Sequence, residues 1–262
     1  MSSDESIILS GVKKIWVKLI LALTALLAIS IYIVDWMNYF NDTTYTYTVY
    51  AKPVITGLAF LLVVLAGRNR LGERDWWLVF LAFCCMLPTD ILMSLVVVSP
   101  ELSVGSSAFM IGGILPIVAH IFLIIRMSKG FKFFRKFRIL DIWLPILIYG
   151  SAVAILFVLW EDIVRVGHAA IAPAYTAFFC TTVWLSWEAL RRNLLPKPNA
   201  WMAAIAATCW YATEILGEIY NLGMGNLSEI TFCLVWVFYG TNVILWALSV
   251  YRWVPEIRRK RH

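Results

Sequence analysis

Charge is scarce in this chain. Only 15% of its 262 residues are Asp, Glu, Lys or Arg, while 61% are hydrophobic and thirteen are Trp, which excludes an ordinary soluble domain and makes the lipid bilayer the solvent. Histidine is scarcer still. His120, His168 and the terminal His262 are the only three, too few for a zinc site built on several His ligands, so no metal is expected. The five cysteines, Cys84, Cys85, Cys180, Cys209 and Cys233, make no CxxC pair and read as small apolar packing residues. A small-residue cleavage site is missing after the first apolar run, where Asp35, Trp36 and Met37 follow instead; that run is expected to be a retained anchor rather than a signal peptide.

What is present is a series of apolar runs at roughly 16 to 34, 53 to 67, 76 to 98, 108 to 126, 140 to 160, 168 to 190, 200 to 222 and 229 to 250, judged against about 20 residues per membrane helix. The second is short, and Tyr50, Ala51 and the stem of Lys52 extend it, with the ammonium expected to snorkel to the interface. The fold class expected is all-α and integral to the membrane, with eight transmembrane helices. Residues 1–15 form an N-terminal segment, 16–252 the membrane domain and 253–262 a basic tail. Of the 22 Lys and Arg, all but Lys52 and Arg165 fall at the two ends or in alternate connections around 70, 132 and 194. The positive-inside rule then puts both termini in the cytoplasm, in agreement with an even number of spans. The net charge of +6 reports this topology and contact with anionic membrane lipids, and nucleic acid is not needed to explain it.

Within the apolar runs a repeat is legible. Cys85 to Leu92 reads C-M-L-P-T-D-I-L and Cys209 to Leu216 reads C-W-Y-A-T-E-I-L; Pro53 to Thr56 reads P-V-I-T and Pro173 to Thr176 reads P-A-Y-T; an almost equal offset sets His120 against Asn242. Three matches in order at nearly one offset point to two parallel four-helix repeats, about 16–130 and 138–252, related by an axis along the membrane normal. Asp90 and Glu214 become symmetry partners, each about 12 Å below the outer end of its span at 1.5 Å per residue.

A carboxylate at that depth is costly against lipid, about 2.5 to 3.5 kcal/mol on insertion scales, so both acids are expected to face a protein-lined or watered cavity between the halves. One use is structural, as hydrogen-bonding groups between helices. The other is acid and base chemistry, because two close carboxylates in a low dielectric do not both ionise readily. Glu218, one turn outward of Glu214, is a rim residue or a substitute for it. Glu188, before Arg191 and Arg192, reads as an interfacial ion-pair residue. His120 serves equally as a packing or a proton-relay residue. Lys52 is an interfacial anchor or a contact for a lipid phosphate, and Tyr239 and Asn242 offer donors toward the same depth or ordinary interhelical bonds.

Lys52-Pro53, Asp90-Ile91-Leu92, Phe109, Gly112, Ala119-His120-Ile121, Thr213-Glu214 and Tyr239-x-x-Asn-x-x-Leu-x-x-x-Ser249, in this order, resemble the YhhN-like membrane family, which includes the lysoplasmalogenases. The resemblance extends over about 16 to 252 and is best over 52 to 126. Thr89 stands where the family usually has Gly, and Thr213-Glu214 where it often has Ser-Asp. The resemblance implies an intramembrane hydrolase that cleaves the vinyl ether bond of a lyso-ether phospholipid, a lysoplasmalogen, to a fatty aldehyde and a glycerophospho-base without a cofactor. Asp90 and Glu214 would then be the acid/base pair, His120, Asn242 and Tyr239 orienting residues, and Lys52 a phosphate contact. The competing expectation is a non-catalytic lipid-binding protein or proton-coupled transporter with an acidic midplane site. An ester hydrolase ranks third, since Thr89 and Thr213 adjoin the acids but no Ser stands beside a base. Oligomeric state and head group are left open by the sequence.

The charge asymmetry makes topology testable. Tags at both ends should be cytoplasmic, and cysteines engineered near 42, 102, 164 and 226 should react with an impermeant maleimide on intact cells. Outer labelling at a site near 132 would overturn the arrangement.

Overall fold

A computed structural model of the chain describes residues 15–41, 46–98, 107–128, 142–165, 167, 169–221 and 226–253. The ends of the chain, the connections expected near 42, 102 and 226 and the basic connection around 132 lie outside the described residues, as does the side chain of Glu218. Each of the eight apolar runs is helical: α1 Ile15–Asn41, α2 Thr46–Leu65, α3 Glu73–Val98, α4 Ser107–Met127, α5 Trp143–Val158, α7 Ala172–Arg191, α8 Lys197–Asn221 and α9 Asn226–Leu248, with a six-residue helix α6, Trp160–Arg165, after α5. Among the described residues the only β pairing is one antiparallel bridge between Arg70 and Tyr251.

The segments Ile15–Asn41, Glu73–Leu95, Met110–Met127 and Glu229–Leu248 are each long and apolar enough to cross a membrane, and Val49–Leu65 and Trp143–Val158 are shorter apolar helices. The chain is therefore an all-helical membrane protein. Helix ends depart from the apolar runs in an instructive way. α1 continues to Asn41 and α2 starts at Thr46, so Asp35 and Lys52, read as the edges of their runs, both lie inside helices. The cause is mutual compensation: Lys52 Nζ stands 3.7 Å from Asp35 Oδ2, with the two side chains 1% and 0% exposed. The snorkelling expected of Lys52 does not occur. α5 is shorter than expected, 16 residues or about 24 Å at 1.5 Å per residue, and the chain restarts as α6 where Glu161 and Asp162 end the apolar run.

Helix packing follows a regular scheme. α1 packs on α2, α2 on α3 and α3 on α4; in the later part α5 packs on α7, α7 on α8 and α8 on α9. Between the two sets, α4 packs on α7 and α9 packs on α2, with a further contact of α9 on α1. The last helix of each set thus rests on the second helix of the other. Pro53, Pro88 and Pro116 lie inside α2, α3 and α4; a proline removes one ladder donor, and near Pro88 the Thr89 hydroxyl donates to the Cys85 carbonyl at 2.9 Å. Thr213 does the same to Cys209 at 2.9 Å. α7 closes with Asn193 at φ 52°, a left-handed conformation that Asn tolerates, and Leu194 N–H returns to the Ala189 carbonyl at 2.9 Å. This tight turn sets α7 antiparallel to α8 and brings Tyr175 level with Glu214.

A polar clasp joins the ends of α2, α4 and α9 to the starts of α3 and α8. Arg126, 1% exposed, donates from Nη1 to Ser249 Oγ at 2.7 Å and from Nη2 to the Ser249 carbonyl at 2.8 Å, with Asp75 Oδ1 3.4 Å from Nε. Asn199 Nδ2 donates to the carbonyls of Ser249 and Tyr251, both at 2.7 Å, and the Tyr251 hydroxyl donates to the Leu62 carbonyl at 2.5 Å. Backbone bonds from Leu71 to Val250 and from Arg252 to Asn69, both 2.6 Å, complete it. Glu188 is the ion-pair residue expected, 2.7 Å from Arg191 and 2.8 Å from Arg192.

A buried donor left without an acceptor costs about 1–3 kcal/mol. Ser249→Ala, which removes the hydroxyl under Arg126, should lose stability of that size in SDS-induced unfolding. Arg191→Gln should change it by less than about 1 kcal/mol, because its guanidinium is half-exposed and surface ion pairs contribute little.

Candidate functional site

Asp90 on α3 and Glu214 on α8 are both half-buried, and each has one oxygen held by two donors. Asp90 Oδ2 accepts from Thr56 Oγ1 on α2 at 2.5 Å and from Tyr239 Oη on α9 at 2.6 Å. Glu214 Oε1 accepts from Tyr175 Oη on α7 at 2.6 Å and from Trp210 Nε1, one turn back on α8, at 2.9 Å. The two arrangements are alike: the second helix of each set supplies a hydroxyl to the acid on the third, Thr56 to Asp90 and Tyr175 to Glu214. Asp90 Oδ1 makes no hydrogen bond to any described residue.

Tyr239 donates to Asp90 and Tyr175 to Glu214. α3 and α8 are not among the extensively packed helix pairs; each acid is instead held by a phenol from a neighbouring helix.

His120 on α4 is fully buried and touches neither acid directly. Its ring lies 4.3 Å from that of Trp210 and 5.6 Å from that of Tyr175, the two donors to Glu214. Nδ1 is 2.9 Å from Thr182 Oγ1. Thr182 Oγ1 also lies 3.1 Å from the Phe178 carbonyl, so whether Nδ1 donates to the hydroxyl or accepts from it depends on the tautomer. Asn242 on α9, three residues beyond Tyr239, is also fully buried, and neither atom of its amide has a hydrogen-bond partner among the described residues.

Lys52 lies one turn before Thr56 on α2. Besides Asp35, its ammonium meets the ring faces of Phe232 at 4.0 Å and Trp236 at 3.8 Å. Of the six residues singled out in the sequence, Asp90 and Tyr239 bond directly, Glu214 is held separately by Tyr175 and Trp210, His120 lies behind those two donors, Asn242 is buried three residues beyond Tyr239, and Lys52 stands one turn from Thr56. Thr56, Tyr175, Trp210, Thr182 and Asp35 were not singled out as site residues. Thr56 and Tyr175 both lie inside the repeated P-x-x-T segments, which was the available signal. Among the described residues no group of three or more His, Cys, Asp or Glu side chains is placed to hold a metal.

Residues 47–250 match the YhhN family. The chain belongs to the YhhN family. The matched segment takes in α2 through α9, with both acids and all their donors, and begins after α1, so Asp35 stands outside it, whereas the resemblance read from the sequence was expected to begin near 16. No curated protein and no solved structure matches the chain.

Proposed function

We propose that this YhhN-family protein is an eight-span intramembrane hydrolase, built from two parallel four-helix repeats with both termini cytoplasmic, that cleaves the vinyl ether bond of lysoplasmalogen-type lyso-lipids. The repeat is supported by the packing scheme, in which each set's last helix rests on the other's second, and by the matching bonds Thr89 to Cys85 and Thr213 to Cys209. The observation that carries the chemistry is the anchoring of Asp90 through Oδ2 by two donors and of Glu214 through Oε1 by two donors.

Such a pair suits a vinyl ether. One carboxylic acid gives its proton to the β-carbon of the double bond, and the ether oxygen shares the positive charge as an oxocarbenium ion. The other carboxylate stabilises that cation and then takes a proton from water as the water oxygen adds to the α-carbon. The hemiacetal collapses when a proton reaches its ether oxygen and the hydroxyl proton returns to a carboxylate, releasing aldehyde and glycerophospho-base. Water is consumed and both acids are regenerated. The acid and base roles belong to the pair, which titrates jointly. Thr56, Tyr239, Tyr175 and Trp210 hold the two carboxylates in place before substrate arrives, which is how positioning lowers a barrier. The hydroxyls of Thr89 and Thr213 donate to their own helices, which favours an ether substrate over an ester attacked by threonine.

Purified protein should release fatty aldehyde from a synthetic alkenyl lyso-lipid with no ion gradient present. Asp90→Asn and Glu214→Gln should each lower the rate by about 10² to 10⁴-fold, the usual contribution of a general acid or base, while expression and detergent stability are kept. Glu214→Asp should keep part of the activity, since the carboxylate survives with one methylene less reach. Full aldehyde release by a well-folded Asp90→Asn variant would remove the proposal. Movement of intact lipid across a vesicle membrane without aldehyde would instead favour a proton-coupled transporter.

A further inference from the structure

The Asp35–Lys52 pair is an interior ion pair that the chemistry of Asp90 and Glu214 leaves unused. Asp35 also lies on α1, outside the segment that matches the family. Lys52 and Thr56 are four residues apart on α2 and so share one face, and Thr56 is the first donor to Asp90 Oδ2. The second donor, Tyr239, packs edge-on against Trp236 with ring centroids 5.5 Å apart, and Trp236 in turn lies under the Lys52 ammonium at 3.8 Å. Both hands on the Asp90 carboxylate therefore start from Lys52. One is carried by the helix that Lys52 belongs to, the other by the indole it covers.

We propose that Asp35 is a positioning residue for Asp90, acting through Lys52. The reason is electrostatic. Ring faces attract an ammonium, but a buried cation with no counter-ion is strongly disfavoured, and a lysine stem is long and flexible enough to carry its charge out to water. Asp35 supplies the counter-charge that keeps the ammonium on Trp236. Its removal releases Lys52, frees the indole to turn, and loosens the hydroxyl of Tyr239 from Oδ2. With its charge met by Asp35 and its side chain 1% exposed, Lys52 works as an internal strut, not as the contact for a head-group phosphate.

The proposal rests on the hydrolase reading only for its kinetic arm, and an infrared arm tests it independently. The carboxyl bands of Asp90 are identified by their loss in Asp90→Asn, and their frequencies follow the hydrogen bonds on Oδ2. Asp35→Asn should displace these bands, and Asp35→Glu, which keeps the charge, should leave them near their native position. If the single variant does not fold, Asp35→Asn combined with Lys52→Met removes both charges together; this pair should restore a native-like unfolding midpoint while the Asp90 bands stay displaced. In turnover of the alkenyl lyso-lipid, Asp35→Asn should lower kcat on the order of 10²-fold, the loss typical of a small misplacement of a catalytic group, with KM little changed. Undisplaced Asp90 bands in the folded single or double variant would overturn the proposal, and so would a raised KM with kcat intact, the result expected of a phosphate contact. A native protein that releases no aldehyde would sink the hydrolase reading, and the infrared bands would still decide the role of Asp35.

Discussion

Three polar contacts tie the two sets of helices in this bundle together. Asp90 takes a hydrogen bond from the Tyr239 hydroxyl, His120 Nδ1 pairs with the Thr182 hydroxyl, and Arg126 closes on Ser249. In each case a group from the first four long helices is satisfied by one from the last four. In a medium without water an unpaired polar atom is costly, so these contacts at three levels select one way of bringing the two sets of helices together, where apolar surface alone would accept many.

The same constraint shapes the site. A carboxylate held through one oxygen by two donors cannot rotate freely. Asp90 meets this condition with donors from α2 and α9, and Glu214 with donors from α7 and its own helix. The two phenols, Tyr239 and Tyr175, each hold one acid from a neighbouring helix, while α3 and α8 are not themselves closely packed. His120, held by Thr182, packs against the donors of Glu214 from behind, much as Trp236 backs Tyr239.

Much of this was legible in the sequence and some was not, for physical reasons. Apolar runs mark membrane helices because a spanning backbone must satisfy itself, and every run proved helical. Asp90 and Glu214 stood out because a carboxylate among apolar residues is costly and conspicuous. Tyr175 and Trp210 did not, because an aromatic on an apolar helix has the same appearance whether it fills space or donates a hydrogen bond. Asp35 was hidden differently. Ending α1 at the last apolar residue treated a charge as a boundary, yet a charge that meets its opposite on the next helix lets both helices continue. Lys52 was misplaced by the same assumption, since its partner lay beyond the edge of another run.

The partners that cross the bundle also set an order in time. The ribosome makes Arg126 long before Ser249, 123 residues later, a wait of about 6 to 25 s at the usual 5–20 residues per second. Arg126 lies next to the last residue of α4, where its guanidinium can keep water until the partner emerges. Asp90 sits well inside α3 and waits longer for Tyr239, 149 residues on, but Thr56 precedes it in the chain and is ready to receive it. The half-made protein thus already holds one ligand for Asp90, and the second arrives only when Tyr239 on α9 has been made.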